Sequence, residues 1–143
     1  MISLLEELFE QGLLKRIARS KDLALKSLKQ ANYFLFEAQD MVRLHKERMA
    51  IIALYNAMFH CTRALLFKDG VKEKSHYAVA RYLEFEYVDK SAVNRKFLLV
   101  LDMFRDYRHE SLYSLVTIDI NIDWEDYIKC CGQFIDTVND MLK

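Results

Sequence analysis

Two arginines lie within apolar helical stripes, where a guanidinium group needs either a carboxylate partner or an anionic ligand. Arg63 shares the stripe of Ile52, Phe59 and Leu66 with Asn56, and His60 flanks that stripe. Arg108 interrupts a second stripe, which comprises Phe97, Leu101, Phe104, Ser111 and Leu115. A guanidinium binds phosphate through paired hydrogen bonds, and imidazole moves protons near neutral pH. Each arginine therefore indicates either a buried ion pair that fixes packing or a phosphate-binding site.

The remaining candidates for chemistry predict no metal and no cofactor. Glu73 and His76 have the Glu-x-x-His spacing of di-iron bundles, but such bundles need a second copy and two more glutamates. Cys61, Cys130 and Cys131 have no zinc-site spacing, so we expect reduced and mostly packed thiols. The chain also has no glycine-rich phosphate loop and no His-Glu-x-x-His motif.

Length and composition favour one compact helical domain. The chain has 143 residues, 52% of them hydrophobic, with no proline and three glycines, so it has few of the turn residues that sheets require. Its 21 basic and 21 acidic residues cancel, which removes any global attraction to nucleic acid. An excess of basic residues remains near the N-terminus, and it indicates either a solvated helix face or a phosphate-contacting surface. These residues are Lys15, Arg16, Arg19, Lys21, Lys26 and Lys29.

The longest apolar segment, Met49 to Phe67, is nearly long enough to span a bilayer. Asn56, His60 and Arg63 interrupt it, and each would be costly in hydrocarbon, so we expect a helix buried in protein. The N-terminus carries acidic residues where a secretion signal would carry lysines. These features predict a cytoplasmic protein with no membrane contact.

Apolar residues recur at helical spacing almost throughout the chain. Ser20, Ser75 and Asp123 are predicted N-caps, and Asp69-Gly70 ends one of the helices. The alternating segment 116–122 is interpreted as an extended strap across the bundle. The helices are predicted at 2–18, 20 to about 45, about 49–68, 75 to about 87, 89 or 91 to about 112, and about 124–142.

We therefore predict an all-α fold, an up-and-down bundle of four to five main helices plus a short N-terminal helix. Residues 1–143 form a single domain in this prediction, with 1–19 as an N-terminal helical extension. The third helix is apolar on nearly every side, so it is either central or shared with a second copy of the chain. The latter reading predicts a homodimer.

Three sequence elements resemble the HEPN domain, in its branch of small stand-alone prokaryotic proteins. They are the run YNAMFHCTRALLFKDG at 55–70, the KSH at 74–76 and the RHESLY at 108–113. The resemblance covers about residues 20–142, and the block 55–76 is its most specific part. In the third element Ser111 replaces the alanine of the family pattern.

The resemblance implies a helical bundle that is usually dimeric. Many HEPN domains are metal-independent ribonucleases, often toxins, with an arginine followed four to six residues later by a histidine; others are partners of a small nucleotidyltransferase. Arg108 matches that arginine, but Tyr113 occupies the nearest histidine position and His109 directly follows the arginine. Tyrosine titrates near pH 10 and is a poor general base at neutral pH.

We therefore predict a protein-binding and RNA- or nucleotide-binding component of a toxin–antitoxin or nucleotidyltransferase-partner system. The alternative is a metal-independent endoribonuclease toxin with a composite dimer site, and a second alternative is a non-catalytic structural adaptor. The candidate catalytic residues are Arg108, His109 and Tyr113. The candidate binding cleft is formed by Asn56, His60, Arg63, His76 and Arg108.

Overall fold

The computed structural model describes residues 1–115 and 121–143 as an all-α helical bundle with one small two-stranded ribbon. The described elements, in chain order, are α1 Leu4–Glu10, β1 Leu14–Arg16, α2 Lys21–Arg43, α3 Glu47–Asp69, β2 Val71–Glu73, α4 His76–Leu83, a π-helical segment Glu84–Val88, α5 Arg95–Tyr113 and α6 Trp124–Met141. The predicted fold class is confirmed. Residues 116–120, most of the predicted strap, lie outside the described part of the chain.

Short polar residues fix the ends of the helices. Ser20 accepts a hydrogen bond from the Leu23 N–H at 3.0 Å, and Ser75 accepts one from the Ala78 N–H at 3.2 Å. These bonds satisfy N–H groups that a helix leaves unpaired in its first turn. Asp123 caps α6 in the same way, so all three predicted caps are confirmed.

Helix α3 forms the centre of the core. It packs along α2 and also contacts α4, α5 and α6, and 14 of its residues from Ala50 to Phe67 are buried. The Ser27 hydroxyl donates to the His60 carbonyl at 2.7 Å, which joins α2 to α3 inside the apolar packing. At its end, Asp69 accepts hydrogen bonds from Tyr82 at 2.8 Å and Tyr87 at 2.6 Å. These bonds attach α4 and the π-helical segment to the end of α3.

Among the described residues, α3 is also the one helix long and apolar enough to cross a membrane. Of its most apolar stretch, 78% is buried inside the protein itself, as is typical of the core helix of a folded bundle. Its apolar surface is therefore covered within one chain. The amount of apolar surface on this helix therefore gives no support to the predicted homodimer.

The predicted opening helix of 2–18 is wrong beyond Glu10. Gly12 has a φ of 75°, a left-handed conformation that ends the helix, and the chain then enters β1. Strand β1 pairs with β2 in an antiparallel register, Leu14 opposite Glu73 and Arg16 opposite Val71. Glu73 is therefore the last residue of strand β2.

The predicted start of the fifth helix, at Asp89 or Ser91, is also wrong. Ser91 has a φ of 59°, which is incompatible with a helix start, and Asn94 caps α5 by accepting from the Lys96 N–H at 2.8 Å. The fourth predicted helix does reach Val88, but its last turn is π-helical. This arrangement sets the register of α5, which carries Arg108.

Candidate functional site

His76 is the first residue of α4 and is exposed to solvent. Its ring packs on two aromatic rings of α3, with centroids 4.6 Å from Phe59 and 5.8 Å from Tyr55. The Ser75 cap fixes the start of α4 and so fixes where His76 emerges. The KSH element thus places an imidazole on the aromatic surface of the central helix.

Arg63 is held by an ion pair, as one of its two sequence interpretations predicts. Its Nε lies 2.8 Å from Oε1 of Glu73, and both side chains are largely buried. The guanidinium also lies over the Phe67 ring, 4.9 Å from the centroid, and 5.8 Å from that of Phe59. Arg63 therefore fastens β2 to α3 and borders the site from that side.

Helix α5 contributes two more arginines to the same region. The Arg108 guanidinium carbon lies 5.7 Å from the centroid of the Tyr55 ring. That of Arg105 lies 5.5 Å from the Tyr77 ring, and Arg105 also pairs with Asp102 at 3.6 Å. Within residues 1–115 and 121–143, Arg108 forms no ion pair, so no carboxylate there neutralises its charge.

We call Arg63, His76, Arg105 and Arg108 the arginine–histidine cluster. Burial lowers the pKa of His76, and the charges of Arg108, Arg105 and Arg63 lower it further, while Glu73 opposes them. All three guanidinium groups therefore act on one imidazole. At neutral pH this imidazole is uncharged and can accept a proton.

Tyr55 lies beneath the cluster and carries a buried hydroxyl. The residue is fully buried, and within the described part of the chain its hydroxyl has no hydrogen-bond partner. Burial raises the pKa of Tyr55 to about 12, although the charges of Arg105 and Arg108 pull it down. The hydroxyl is therefore protonated at neutral pH and is a free donor beside two arginines.

His60 lies on the other side of Phe59 and is half-buried. It stacks on Phe34 with 5.5 Å between ring centroids and 2° between the planes. Burial lowers the pKa of His60 to about 4, helped by the charges of Arg63 and His76. Its Nδ1 has no hydrogen-bond partner among the described residues.

Three predicted site residues lie apart from the cluster. Asn56 lines a groove of about 160 Å³ between α2 and α3, together with Tyr33, Phe34, Glu37, Met41, Met49, Ile52 and Ala53. His109 and Tyr113 are exposed at the end of α5, and their ring centroids lie 5.0 Å apart. Within the described chain, no hydrogen bond or ring contact joins either of them to Arg108.

The sequence interpretation missed Tyr55 and Arg105 as site residues. Arg105 precedes Arg108 by three positions, which places both on the same face of a helix, so this spacing could have revealed it. Tyr55 is the first residue of the run at 55–70, but nothing in the sequence shows that its hydroxyl lacks a partner. In the described residues no group of three or more His, Cys, Asp or Glu side chains could hold a metal ion.

Comparison with known proteins gives one finding. The family model of the HEPN domain matches residues 24–141, nearly the whole chain. A search of curated proteins found no match. The matched range contains the arginine–histidine cluster together with Tyr55 and Glu73.

Proposed function

This chain belongs to the HEPN domain family, and we propose that it acts as the protein-binding and RNA- or nucleotide-binding component of a toxin–antitoxin or nucleotidyltransferase-partner system. The family match indicates a nuclease-like or nucleotide-binding helical domain. The proposal extends this statement to a ligand, a site and a partner. Its ligand site is the arginine–histidine cluster.

The observation that carries the proposal is the state of Arg108. Its guanidinium group has no carboxylate partner among the described residues and lies over the ring of Tyr55, whose buried hydroxyl also lacks a partner. Arginine binds phosphate through two parallel hydrogen bonds, so a phosphate group would supply the acceptors that Arg108 lacks. The site therefore fits a phosphate monoester or diester.

Electrostatics in the cluster agree with an anionic ligand. Glu73 offsets the charge of Arg63, and Asp102 pairs with both Arg81 and Arg105. Arg108 remains as uncompensated positive charge at a partly desolvated position, where its attraction for an anion is stronger than in water. His76 is uncharged at neutral pH and can add a hydrogen bond to the ligand.

The proposal is tested by binding of labelled tRNA, mRNA fragments and nucleotides to the protein and to Arg108→Ala. The variant should bind these ligands at least roughly 10-fold more weakly, because a charge-assisted contact is worth about 1.5–3 kcal/mol. Arg95→Ala is the matched control, since Arg95 is an exposed arginine on the same helix. Equal affinities for all three proteins would reject the cluster as the ligand site.

A specific observation also favours the endoribonuclease alternative. His76 and Arg108 both lie near the ring of Tyr55, with centroid distances of 5.8 Å and 5.7 Å, so one chain presents both a phosphate-binding group and a proton acceptor. In this alternative Arg108, His109 and His76 of two subunits form a composite site. The adaptor alternative, in contrast, expects no binding of RNA or nucleotide by either protein.

We propose that the protein is a cytoplasmic homodimer. The dimer rests on the family resemblance and on exposed aromatic side chains of α2, Tyr33 and Phe36, which are 58% and 69% exposed. Sedimentation tests it, because a monomer of 17.0 kDa at micromolar concentration would argue against the dimer. The nucleotidyltransferase partner is tested by the gene next to that of this chain and by copurification of its product.

A further inference from the structure

The ribbon of β1 and β2 carries lysines on its outer face. Lys15 lies directly opposite Lys72 in the antiparallel register, and both side chains are exposed. Lys74, also exposed, follows the end of β2 and donates its N–H to the Leu13 carbonyl at 2.9 Å. Alternation along a strand places Lys72 and Lys74 on the same face.

No acidic residue offsets this charge in the part of the chain that the structure describes. Lys15, Lys72 and Lys74 form no ion pair and no side-chain hydrogen bond there. Glu73 is the one acid of the two strands, and it faces inward to pair with Arg63. Like charges directly opposite each other destabilise an antiparallel pair, and a two-stranded sheet is marginally stable by itself. The lysine pair is therefore unfavourable in the free protein.

Basic residues continue beyond both ends of the ribbon. At one end, the Ile17 N–H donates to the Gly70 carbonyl at 2.9 Å. Next to this bond, Arg19, Lys21 and Lys68 line an open cavity of about 300 Å³ together with Met141, Leu142 and Lys143. At the other end, Lys74 leads through Ser75 to His76 and the arginine–histidine cluster.

We propose that the outer face of the ribbon binds the phosphate backbone of a polynucleotide strand that continues to the arginine–histidine cluster. Residues 70–76 span at most about 20 Å, at ~3.3 Å per extended residue, so one strand of a few nucleotides can contact both the ribbon and the cluster. This inference rests on the proposed function for the end of the path at Arg108, whereas the ribbon itself is an independent observation.

The composition of the ribbon favours a polynucleotide over an acidic protein. Protein interfaces have an apolar core surrounded by a polar rim. The outer face of the ribbon presents Lys15 and Lys72, while its apolar residues, Leu14 and Val71, point into the core and are 1% exposed. Phosphate contacts by lysine need no apolar core, since the release of counterions supplies the affinity.

The test measures binding of single-stranded RNA and DNA, as a trinucleotide and as a strand of about 15 nucleotides, against salt concentration. The double variant Lys15→Gln/Lys72→Gln should lower the slope of log affinity against log salt by about 1.4 on the long strand, because each lost single-strand phosphate contact removes about 0.7. Its affinity for the trinucleotide should be unchanged. Lys46→Gln/Lys129→Gln, which removes one exposed lysine before α3 and one on α6, is the matched control.

A second variant, which should keep its fold, separates a loss of binding from a loss of stability. Lys72→Glu places a carboxylate opposite Lys15, so this variant should melt no lower than the parent and still bind the long strand more weakly. An unchanged salt slope in Lys15→Gln/Lys72→Gln would overturn the proposal, as would an equal loss in the control. If polyglutamate at an equal concentration of charge displaces the long strand, the proposal is overturned in favour of an acidic protein as the ligand.

The same experiment separates this inference from the proposed function. If Arg108→Ala binds both strand lengths as tightly as the parent while the ribbon variants are weakened, the cluster fails as a ligand site and the ribbon remains one. If Arg108→Ala loses affinity for both lengths and the ribbon variants lose none, the ribbon proposal is overturned and the cluster stands. RNA and DNA bound alike support recognition of the phosphates; tighter RNA binding supports an added contact to the 2′-hydroxyl.

Discussion

The Arg63 guanidinium lies 2.8 Å from the Glu73 carboxylate, measured from Nε to Oε1, and this ion pair joins the central helix to strand β2. The two side chains are 23% and 12% exposed, so each would be poorly solvated without the other. The pair therefore connects the packing of α3 to the position of the ribbon and, through residues 74 and 75, to His76. Its removal should affect both stability and the site.

Arg63→Met is expected to lower the free energy of unfolding by about 2–3 kcal/mol, because it leaves Glu73 partly buried without its partner. This lies below the cost of breaking a fully buried pair, since both side chains retain some solvent. The double variant Arg63→Met/Glu73→Gln should recover most of the loss. Denaturant unfolding measures both, and a loss below about 1 kcal/mol in Arg63→Met would show that Arg63 is effectively solvated.

Tyr55→Phe should stabilise the free protein and leave ligand binding unchanged. The substitution removes a buried hydroxyl that has no partner among the described residues, so we expect a gain of about 1 kcal/mol in the free energy of unfolding. Binding of RNA or nucleotide should be unchanged, because the hydroxyl is fully buried and out of reach of a ligand. Thermal unfolding and ligand titration measure the two effects. A loss of stability would show that the hydroxyl is satisfied in the free protein.

Gly70→Ala tests the junction between α3 and the ribbon. Gly70 has a φ of 80°, and a Cβ there would meet the Ile17 carbonyl oxygen at 2.7 Å. The backbone must shift, so we expect a loss of at least about 2 kcal/mol in the free energy of unfolding. Gly132→Ala is the control, since its Cβ would meet nothing within 4 Å inside α6, and it should gain about 0.5–1 kcal/mol. Equal effects of the two substitutions would contradict this geometry.

The free energy of unfolding should fall as the pH is lowered, because of His60. Burial and the charges of Arg63 and His76 lower the folded-state pKa of His60 to about 4, against an ordinary value of 6.5. Between these values the unfolded chain binds more protons than the folded one, so the free energy of unfolding falls as pH decreases from 6.5 toward 4. Above pH 6.5 both states are neutral at this residue, and its contribution is constant.

The expected loss from His60 is about 2 kcal/mol, less than the full pKa shift implies, because the ring is only half-buried and solvent screens it. Burial also lowers the pKa of His76, so His76 adds to the slope with the same sign. His60→Gln should therefore show a shallower decline of the unfolding midpoint between pH 6.5 and 4. Parallel pH profiles for the two proteins would mean that His60 is protonated in the folded state.

Helical periodicity and capping residues were enough to predict the bundle. Ser20, Ser75 and Asp123 act locally, so a single sequence shows them. The ribbon was missed because its strands are three residues each and their partners are far apart in sequence, Leu14 opposite Glu73. Local periodicity carries no information about such a pairing.

The site was predictable only in part, for a related reason. Arg63 and Arg108 were identified because charged residues in apolar stripes are costly and visible in the sequence, and His76 was identified through the KSH element. The partner of Arg63 could not be identified as Glu73, and the missing partner of the Tyr55 hydroxyl could not be seen, because both depend on tertiary geometry. Asn56 shares a helix with Arg63, but it lines the groove on the α2 side.

Cleavage of RNA is expected to be slow or absent, which follows from Arg108 and Tyr113 together. Arg108 can hold the scissile phosphate and stabilise the charge that develops on it. The step also needs a group that accepts the 2′-hydroxyl proton, and histidine does this best near neutral pH. Tyr113 occupies the histidine position of the family motif and is 64% exposed. General base catalysis should therefore be about 10²–10⁴-fold weaker than in a relative that carries histidine.

The measurement compares cleavage of labelled tRNA and mRNA, with and without EDTA, by the parent, Arg108→Ala, His76→Gln and Tyr113→His. We expect the parent to bind without cutting, because binding needs only Arg108 and its neighbours whereas cleavage also needs a base. Tyr113→His measures whether a histidine at the family position supplies that base. Rapid EDTA-resistant cleavage by the parent that disappears in both Arg108→Ala and His76→Gln would establish the ribonuclease alternative instead. His76 would then be the base, since it lies within the electrostatic reach of Arg108 and is uncharged at neutral pH. Cleavage that persists in Arg108→Ala would come from a contaminating nuclease.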